Sequence, residues 1–460
     1  MKNHNIVIVG AGLTGLTAAY RLKERDVVVL EQQPRIGGQI ETHRADGFVF
    51  ESGPNTGVVS YPEVAELFAE LAPKCELEVA RAAAECRLIW KGNRFRALPS
   101  GLASAVFTPL FTLPDKFRIL GEPWRAKGTD PNESVGALAR RRLGRSFVDY
   151  AVDPFLSGVY AGNPDTLITR YALPKLYNLE QNYGSFVRGA MAKAKEPKSE
   201  RDRLATKKVF SARGGLDRLT EAMGDAIGRN RIFTGAANVR IEPLATTQPA
   251  TSDAPRWKIT YIYNGEEQQL TCRTVITTTG AYTLPSLLPF VPAEQMTNIS
   301  NLRYAPVMQV SVGLRNAGNR LYSAFGGLVP SCEQKPVLGI LFPSACFTER
   351  APEGGALFSY FIGGIKHAEL LRKSDDEIKA LVTDTLHTML KYPAGTKADT
   401  IHIFRHEHAI PQYELSSGKR FDTVETLQQQ YPGLILAGNL HGGIGMADRI
   451  RQACQLKVED

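Results

Sequence analysis

The chain has 460 residues, which is enough for two or three domains with a large buried core. Its apolar content of 43% and charged content of 22% are ordinary for a globular protein. The net charge of +8 favours an anionic membrane surface or an anionic substrate as partner, and because the chain carries no nucleic-acid motif we expect no nucleic acid.

Neither a secretory signal nor a membrane-spanning segment is predicted. The N-terminus leads directly into an apolar run, and the two longest uncharged stretches, Ala97–Pro114 and Thr274–Ala293, contain several prolines. Six scattered cysteines without a CxxC pair predict free thiols in a reducing cytoplasm and no zinc site. His402, His406 and His408 alternate along a predicted strand, which indicates one solvated strand face rather than a metal site.

The start of the chain carries a dinucleotide-binding pattern. A β-branched run, a glycine turn, a helical pattern and a second β-branched run follow one another over residues 6–30. Gly10 permits a tight turn, Gly12 lets a pyrophosphate approach the backbone, and Gly15 lets the helix pack closely. The helix N-terminus can bind phosphate, and Glu31 can accept the ribose hydroxyls. An acid at this position favours FAD or NAD over NADP.

Three further segments fit a flavin site. A glycine pair at 37–38 is typical of two-dinucleotide-binding flavoproteins, and a strand at 48–51 runs into a turn that can meet a flavin edge. Near the C-terminus, a strand at 434–437, a glycine turn and a helix from Ala447 predict a second helix N-terminus directed at the cofactor. Motifs at both chain ends imply one discontinuous nucleotide domain with other modules inserted.

The intervening chain shows helical, alternating and low-complexity patterns. We predict helices at 62–72, from Asp217 and at 375–390, a hairpin at 87–98, a strand ending at 238–240, a low-complexity hairpin tip at 246–255, strands at 257–263 and 274–279, and a largely antiparallel sheet over 305–364.

Residues 99–195 are predicted to be mainly helical. An apolar, uncharged group there precedes a group of cations, which suggests a surface in contact with a membrane interface; a core beneath a loop is the alternative. The apolar group is Leu102, Val106, Phe107, Leu110, Phe111 and Leu113, and the cations are Lys116, Arg118, Arg125 and Lys127.

Several segments, in order from end to end, resemble the FAD-dependent protoporphyrinogen oxidases within the wider flavin amine oxidase group. Some positions depart from that family's pattern: Gln39 replaces an arginine common in the group, Asn163 replaces the usual aspartate, and Ser416–Gly418 stands where many relatives have Gly-His. The segments that carry the resemblance are Phe50–Asn55, Asp153–Asn163, Leu179–Ser185, Phe342–Ser344 with Arg350–Gly354, Ala409–Tyr413 and Ala437–Asn439.

The resemblance implies an α/β (α+β) architecture of three regions. A two-dinucleotide-binding, Rossmann-like FAD domain would comprise residues 1–60, 205–280 and 405–460. An inserted antiparallel-sheet substrate domain would comprise 61–98 and 281–404. An inserted helical membrane-binding domain would comprise 99–204.

The resemblance also implies site residues. Arg87 would pair with a substrate propionate, which suits the bidentate geometry of guanidinium and carboxylate. Leu338 and Phe358 would sandwich a flat macrocycle, Gly162 would contact substrate, and Asn55 and Gly162 would make polar contacts near the flavin ring; no acid or base residue is identified. The implied FAD contacts are Gly10, Ala11, Gly12, Leu13, Thr14, Gly15, Glu31, Gln32, Gln39, Gly53, Pro54, Asn55, Thr56, Val239, Ile444, Gly445 and Met446.

The implied reaction is a six-electron oxidation of protoporphyrinogen IX in three flavin cycles, with dioxygen reduced to hydrogen peroxide. Coproporphyrinogen III oxidation within the same family is the nearest alternative. A flavin amine oxidase or desaturase would want an aromatic cage, and a non-catalytic carrier with the same nucleotide fold would not need the C-terminal cofactor turn. We expect a cytoplasmic protein with peripheral contact to the inner face of the cell membrane. The oligomeric state stays open, with a homodimer as one option.

Overall fold

The structure is a computed structural model that describes residues 2–99, 101–244 and 254–459. Most of the predicted low-complexity tip at 246–255 lies outside the described residues. The strands, in chain order, are β1 (Lys2–Val9), β2 (Val27–Glu31), β3 (Thr42–Ala45), β4 (Phe48–Glu51), β5 (Gly57–Val58), β6 (Leu77–Val79), β7 (Arg87–Trp90), β8 (Phe95–Ala97), β9 (Val209–Ala212), β10 (Ile232–Thr234), β11 (Ala237–Pro243), β12 (Trp257–Tyr263), β13 (Glu266–Thr277), β14 (Tyr304–Leu314), β15 (Gly326–Leu328), β16 (Gly339–Leu341), β17 (Ala356–Gly363), β18 (Thr400–Pro411) and β19 (Leu434–Leu436).

Helices connect the strands and form most of one inserted segment. They are α1 (Leu13–Arg21), α2 (Pro62–Leu71), α3 (Leu102–Phe107), α4 (Leu113–Leu120), α5 (Val135–Leu143), α6 (Arg145–Phe147), α7 (Asp153–Val159), α8 (Thr169–Ala172), α9 (Pro174–Tyr183), α10 (Phe186–Ala194), α11 (Glu200–Arg203), α12 (Asp217–Ile227), α13 (Leu284–Leu287), α14 (Ala293–Ser300), α15 (Pro343–Cys346), α16 (Asp375–Thr388), α17 (Ser417–Gln430) and α18 (Met446–Cys454).

The first sheet has the order β10-β2-β1-β13-β12-β11, and β19 pairs with the C-terminal part of β13. Strands β10, β2, β1, β13 and β19 are parallel, whereas β11 and β12 are antiparallel neighbours. All five residues of β2 are buried, as expected for a parallel strand covered on both faces. The α/β nucleotide-binding architecture predicted for the two chain ends is confirmed.

Packing places two segments differently from the predicted domain boundaries. Helix α2 buries Val64, Leu67 and Phe68 in the same core as α1, α12 and α18, and β6 pairs with β9. Residues 281–302, with α13 and α14, pack on the other face of the first sheet. Both segments therefore belong with the nucleotide-binding unit, because an amphipathic pattern shows that a helix is covered but not by which sheet.

The second sheet has the order β18-β14-β17-β16-β15-β7-β8, and its pairs are antiparallel except β15 with β7. Helix α16 covers one face through Ile378, Val382 and Leu386, which pack with Phe358 and Tyr360 of β17. The opposite face is turned toward the nucleotide-binding unit, where Leu357 packs with β4. The predicted antiparallel sheet is confirmed, but β18 lies wholly within it, so the predicted boundary at 405 falls inside a strand.

The histidine face of β18 is solvated only in part: His408 is exposed, as predicted, whereas His402 and His406 are half-buried. His402 stacks on Phe50 with ring centroids 4.6 Å apart, and His406 Nε2 lies 2.6 Å from the carbonyl oxygen of Ser52. His408 stacks on Tyr282 at 4.1 Å. This face packs against the nucleotide-binding unit, and an alternating pattern of histidines cannot reveal that partner.

The segment from α3 to α11 is helical, as predicted, and Val148–Val152 form a π-helix immediately before α7. Its centre holds an ion-pair network instead of a large apolar core: Arg142 is fully buried and bonds to both Glu122 and Glu180. Over the described residues, none of the helices combines the length and apolarity needed to cross a membrane.

Two predicted element boundaries differ from the observed ones. β11 begins at Ala237, where the sequence predicted that a strand would end. Helix α16 ends at Thr388, two residues before the predicted position. Gly235, between β10 and β11, lies at positive φ, so the chain turns there, before the predicted strand end at 238–240.

Candidate active site

The glycine turn between β1 and α1 has the conformation that the sequence predicts. Gly10 lies at φ +104°, in the left-handed region that favours glycine. A Cβ on Gly15 would lie 1.9 Å from the carbonyl oxygen of Gly10, so no larger residue fits there. Gly12 precedes α1 without a side-chain cap, which leaves the first N–H groups of the helix available to an anion.

Glu31 joins the end of β2 to this turn. Its Oε2 accepts a hydrogen bond of 2.6 Å from the Ala11 N–H, and its Oε1 accepts one of 2.8 Å from the Gln33 N–H. Each carboxylate oxygen retains a further lone pair for a ribose hydroxyl. Gln32 is exposed beside it at the strand end.

A groove of closely packed backbone continues from the glycine turn. Gly37 N–H donates to the Ala11 carbonyl oxygen at 2.8 Å, and a Cβ on Gly38 would lie 3.0 Å from Gly12 Cα. Further along, a Cβ on Gly53 would lie 1.9 Å from the Gln39 carbonyl oxygen. The groove thus runs from Gly12 past Gly38 to the turn at 53–56, which is the path a dinucleotide needs from its pyrophosphate to its ring.

Gln39 lies on this path and contacts the second sheet. Its side chain is exposed, and its Nε2 donates to the His408 carbonyl oxygen at 3.2 Å. The bond links the groove to β18 of the second sheet. Gln39 as an FAD contact stays a prediction.

Val239 lies at the other end of the groove. The register of β11 with β12 shifts between Ala237 and Arg240, so Asn238 and Val239 lie in a bulge. The Ala236 N–H donates to the Glu31 carbonyl oxygen at 2.8 Å, which holds this segment beside the end of β2. A bulge here frees backbone groups of Val239 from the ladder with β12, which suits recognition of an adenine edge.

The C-terminal turn is held by buried side chains that bond to its carbonyl oxygens. Arg449 donates to the carbonyls of His441 and Gly443 at 2.9 and 2.8 Å, and Arg420 donates to that of Leu440 at 2.9 Å. Tyr413 Oη donates to the Gly443 carbonyl at 3.0 Å. These hydrogen bonds fix the turn on its side away from the groove. The turn places the N-terminus of α18, at Met446, toward the groove.

Burial controls the protonation of the groups around this turn. It raises the pKa of the Tyr413 phenol, which keeps the hydroxyl protonated as a donor. It lowers the pKa of His441, so that ring is neutral near pH 7. Burial also lowers the pKa of Arg449, which nevertheless stays a cation.

These segments fit FAD. The glycines that a Cβ would clash with, the uncapped start of α1 and the carboxylate at Glu31 form a cradle for an adenosine diphosphate. Thr278 bridges the two ends of the chain: its Oγ1 donates to the Gly10 carbonyl oxygen at 3.0 Å, and a Cβ on Gly438 would lie 2.9 Å from its carbonyl oxygen. The structure therefore brings Gly10–Gly15, Gly53–Thr56 and Ile444–Met446 into one site.

The face of the second sheet opposite α16 continues this site. Ser359 Oγ donates to Asn55 Oδ1 at 3.0 Å, and Asn55 Nδ2 donates to the Gly53 carbonyl oxygen at 3.0 Å. The register then places Leu341, Gly326 and Arg87 in line with Ser359 across β16, β15 and β7. Arg87 thus lies on the same face as Ser359, about 14 Å from it by three strand spacings. Its side chain is exposed, with Cζ 5.7 Å from the centroid of Phe325.

Leu338 and the Tyr160–Gly162 turn bound the same face. Leu338 is half-buried in an apolar cluster with Ala161, Val307 and Phe361. Gly162 is buried directly after Ala161. The structure therefore brings the predicted substrate residues Arg87, Gly162 and Leu338 to one face of the sheet.

Phe358 does not lie on that face. It is 1% exposed and packs edge-on against Phe342 and Tyr392 beneath α16. This position contradicts the prediction that Phe358 contacts a macrocycle. Successive strand residues alternate between faces, so Phe361, which is half-buried beside Leu338, is the aromatic residue of β17 on the site face. The side chains of β17 alternate between the two faces of the sheet. If the orientation of any one residue of the strand had been known, this alternation would have placed Phe361, and not Phe358, on the site face.

Within the described residues, no group of three or more His, Cys, Asp or Glu side chains is arranged to hold a metal ion. Gln412, which lies beside Gly162, is a site residue that the sequence pattern alone did not single out. It belongs to the Ala409–Tyr413 segment, and the role of that segment could not be deduced from the sequence because Gly162, which it contacts, is distant in the chain.

Comparison with known proteins gives one matching family and near full-length relatives. The family model described as flavin containing amine oxidoreductase matches residues 13–455. Protoporphyrinogen oxidase 2 of Arabidopsis thaliana is 28% identical and covers 99% of this chain and 93% of its own; the human protoporphyrinogen oxidase is 28% identical and covers 98% and 97%. Coproporphyrinogen III oxidase of Bacillus subtilis (strain 168) is 24% identical over 98% of this chain and 96% of its own.

Solved structures show the same fold. A candidate protoporphyrinogen oxidase from Exiguobacterium sp. 255-15 superposes with a TM-score of 0.77 at 22% identity, covering 98% of this chain and 97% of that one. Cyclohexylamine oxidase from Brevibacterium oxydans IH-35A superposes with a TM-score of 0.67 at 15% identity, covering 98% and 97%.

Proposed function

Because this chain belongs to the flavin containing amine oxidoreductase family, we propose that it oxidises a porphyrinogen, protoporphyrinogen IX, to the porphyrin in heme biosynthesis. FAD, when bound, supplies the two-electron acceptor, and three rounds account for the six electrons removed. We propose dioxygen as the final acceptor, so that three molecules become three of hydrogen peroxide.

One observation carries this proposal: the site face has an apolar end and, across the sheet on the same side, the exposed guanidinium of Arg87. Leu338, Phe361 and Ala161 form the apolar end, and Arg87 lies across the sheet on the same side. A flat apolar macrocycle with carboxylates on one edge matches that arrangement. The relatives named for protoporphyrinogen oxidation support the same substrate.

The residues of this chain would bind and orient the substrate. Arg87 would hold a propionate by a bidentate, charge-assisted hydrogen bond. The apolar end would exclude water from the carbon that is oxidised, and the Asn55–Ser359 pair would fix the spacing between the sheet and the cofactor turn. Each round removes a hydride from carbon and releases one proton, which water can accept, so no acid or base residue is required, and this is consistent with the neutral side chains at this end of the site.

Coproporphyrinogen III is the second candidate, supported by the Bacillus subtilis relative. It carries propionates where protoporphyrinogen carries two vinyl groups and would call for further cations. Lys366 directly follows Ile365 of the apolar cluster in the chain, but its Nζ bonds to Asp153 and Ser331. Engagement of Lys366 within the protein favours the substrate with fewer carboxylates.

Two other classes have less support. An amine oxidase would need free aromatic side chains at the flavin, whereas Tyr413 is buried and bonded to Gly443. A non-catalytic carrier would not need the C-terminal turn that Arg420 and Arg449 hold in place. A purified protein that is colourless and cannot be reconstituted with FAD would favour the carrier.

The substrate assignment is tested by supplying each porphyrinogen to the FAD-loaded protein and following porphyrin fluorescence. We expect a higher kcat/KM for protoporphyrinogen IX than for coproporphyrinogen III. A higher value for coproporphyrinogen III would overturn the choice of substrate while leaving porphyrinogen oxidation in place.

We also propose that the protein works in the cytoplasm at the inner face of the cell membrane. Phe107, Phe117 and Trp124 are 83%, 73% and 79% exposed along the first part of the helical segment, with Lys116 and Arg118 between them. Exposed aromatic side chains interspersed with cations suit an anionic bilayer surface. Leu110 and Phe111, predicted in the same patch, are buried against Ile89, so the contact surface is smaller than predicted.

Vesicle sedimentation tests this contact. The protein should sediment with vesicles that contain phosphatidylglycerol more than with phosphatidylcholine alone, and Phe117→Ser with Trp124→Ser should abolish the difference. Leu321→Ser, which removes an exposed leucine outside the helical segment, is the matched control. A double variant that sediments with the phosphatidylglycerol vesicles as much as the wild type does would contradict the proposal.

A further inference from the structure

The turn at Tyr160–Gly162 is held in a conformation that it would not adopt alone. Ala161 lies at φ +47°, in the left-handed region, which costs a non-glycine residue on the order of 1 kcal/mol. This conformation places the Ala161 side chain in the apolar cluster with Leu338 and Phe361. The shape of the site face at this point therefore depends on whatever holds the turn.

Gln412 is the side chain that holds it from the end of β18. Its Nε2 donates to the Tyr160 carbonyl oxygen at 2.8 Å and to the Ile410 carbonyl oxygen at 3.0 Å. The Ile365 N–H completes the hold by donating to the Ala161 carbonyl oxygen at 2.8 Å. Two carbonyl acceptors at Nε2 fix the orientation of the amide, because a flipped amide would place its oxygen against both of them.

The oxygen of the same amide has no hydrogen-bond partner in the structure. Gln412 is 1% exposed, and its Oε1 is buried. A Cβ on Gly162 would lie 2.5 Å from this oxygen, so Oε1 occupies the space of a Gly162 side chain. A buried amide oxygen without a partner costs about 1–3 kcal/mol, which offsets much of the stability that the two Nε2 hydrogen bonds contribute.

We propose that Gln412 is a positioning residue for substrate: it sets the Tyr160–Gly162 turn against the site face and through it the placement of the macrocycle. The inference rests on the proposed function and deepens it by naming a determinant of substrate position. Gln412 acts through the turn, because its oxygen is buried beside Gly162. Gly162 is required because Gln412 fills its side-chain space.

The variant Gln412→Met separates an effect on substrate positioning from an effect on the stability of the protein. Methionine has similar length but cannot bond to the Tyr160 carbonyl, and it also removes the unpaired oxygen. We expect kcat/KM per FAD-loaded protein to fall at least tenfold with Tm unchanged or raised. A lower Tm with unchanged kcat/KM would show a structural role only and would overturn the proposal.

A matched control loses one side-chain hydrogen bond elsewhere. Gln428 Oε1 accepts from the Leu436 N–H at 2.9 Å on the first sheet, away from the turn. Gln428→Met should lower Tm and leave kcat/KM of the loaded protein unchanged. The wild type is assayed first, so that absence of porphyrinogen oxidation counts against the proposed function and not against Gln412.

Two measurements test the turn itself. Hydrogen exchange needs no substrate: the Ile365 amide, which bonds to Ala161, should exchange at least tenfold faster in Gln412→Met, and an unchanged rate would overturn the proposal.

With substrate, Gly162→Ala and Gln412→Ala should each lower kcat/KM, whereas the double variant should lose no more kcat/KM than the worse of the two single variants. Losses that multiply in the double variant would show that the two residues do not act through each other.

Discussion

Ser359 Oγ donates a hydrogen bond to Asn55 Oδ1 across 3.0 Å, and this pair joins the strand at the centre of the substrate face to the turn at the flavin. Both side chains are buried, and Asn55 is also bonded to the Gly53 carbonyl oxygen. The bond therefore links the sheet face that we propose binds the macrocycle to the turn that is predicted to contact the flavin.

Ser359→Ala should lower kcat by about tenfold with little change in FAD loading, because losing one buried hydrogen bond is worth about 1 kcal/mol and here releases the Asn55 amide. Steady-state kinetics and flavin absorbance measure both quantities. Ser344→Ala is the control, since Ser344 Oγ accepts from the Leu357 N–H of the same strand but does not contact Asn55. Equal losses in the two variants would count against a specific role for the pair.

Arg87→Ala should raise KM by about tenfold or more and lower kcat less, because a hydrogen bond to a charged group is worth about 1.5–3 kcal/mol and a propionate contact is remote from the reacting carbon. Arg94→Ala, in the exposed turn between β7 and β8, is the control. An unchanged KM in Arg87→Ala would show that Arg87 does not hold a propionate.

Arg142→Met should destabilise the helical segment by about 3–5 kcal/mol, since it leaves the Glu122 carboxylate buried without its cation and the Glu180 carboxylate with Arg141 alone. Denaturant unfolding measures the change. Arg140→Met removes an exposed pair with Asp165 and should cost less than about 1 kcal/mol. Similar losses in the two variants would contradict the central role of Arg142.

The same network predicts the acid response of the helical segment. Burial raises the pKa of Glu122, but the Ser185 hydroxyl, the Phe186 N–H and Arg142 outweigh it, so the pKa lies below its ordinary 4.5. Stability from this carboxylate is fully present above about pH 4.5 and is lost as pH falls through the lowered value. Glu122→Gln should therefore be destabilised near pH 7 and lose less stability than the wild type on acidification. Parallel pH profiles of Tm would refute this assignment.

The sequence predicted the cofactor side of the site better than the substrate side. Gly10, Gly15 and Glu31 act within a local strand–turn–helix unit, whose backbone requirements are visible in the residues themselves. Phe358 was misplaced because β17 is apolar on both faces, so its pattern does not show which face meets the site. The partners of α2 and of the β18 histidines depend on tertiary packing, which a single segment does not encode.

Gln412 is a single residue whose role could not be predicted from the sequence, for the same reason. The sequence marked its segment through a family resemblance, but the reason for the glutamine lies in the Tyr160 carbonyl and in Gly162, some 250 residues earlier in the chain. Its role became visible only when the turn and the strand end were seen together.

The most direct test of the central claim is anaerobic mixing of the FAD-loaded protein with protoporphyrinogen IX. If this chain oxidises a porphyrinogen at the site between the flavin turn and the second sheet, the visible flavin absorbance should bleach, and porphyrin fluorescence should build up on admission of air. Arg87→Ala should bleach at the wild-type limiting rate but need more substrate to reach it. Flavin that stays oxidised in the wild type with excess protoporphyrinogen IX and coproporphyrinogen III alike would contradict the account.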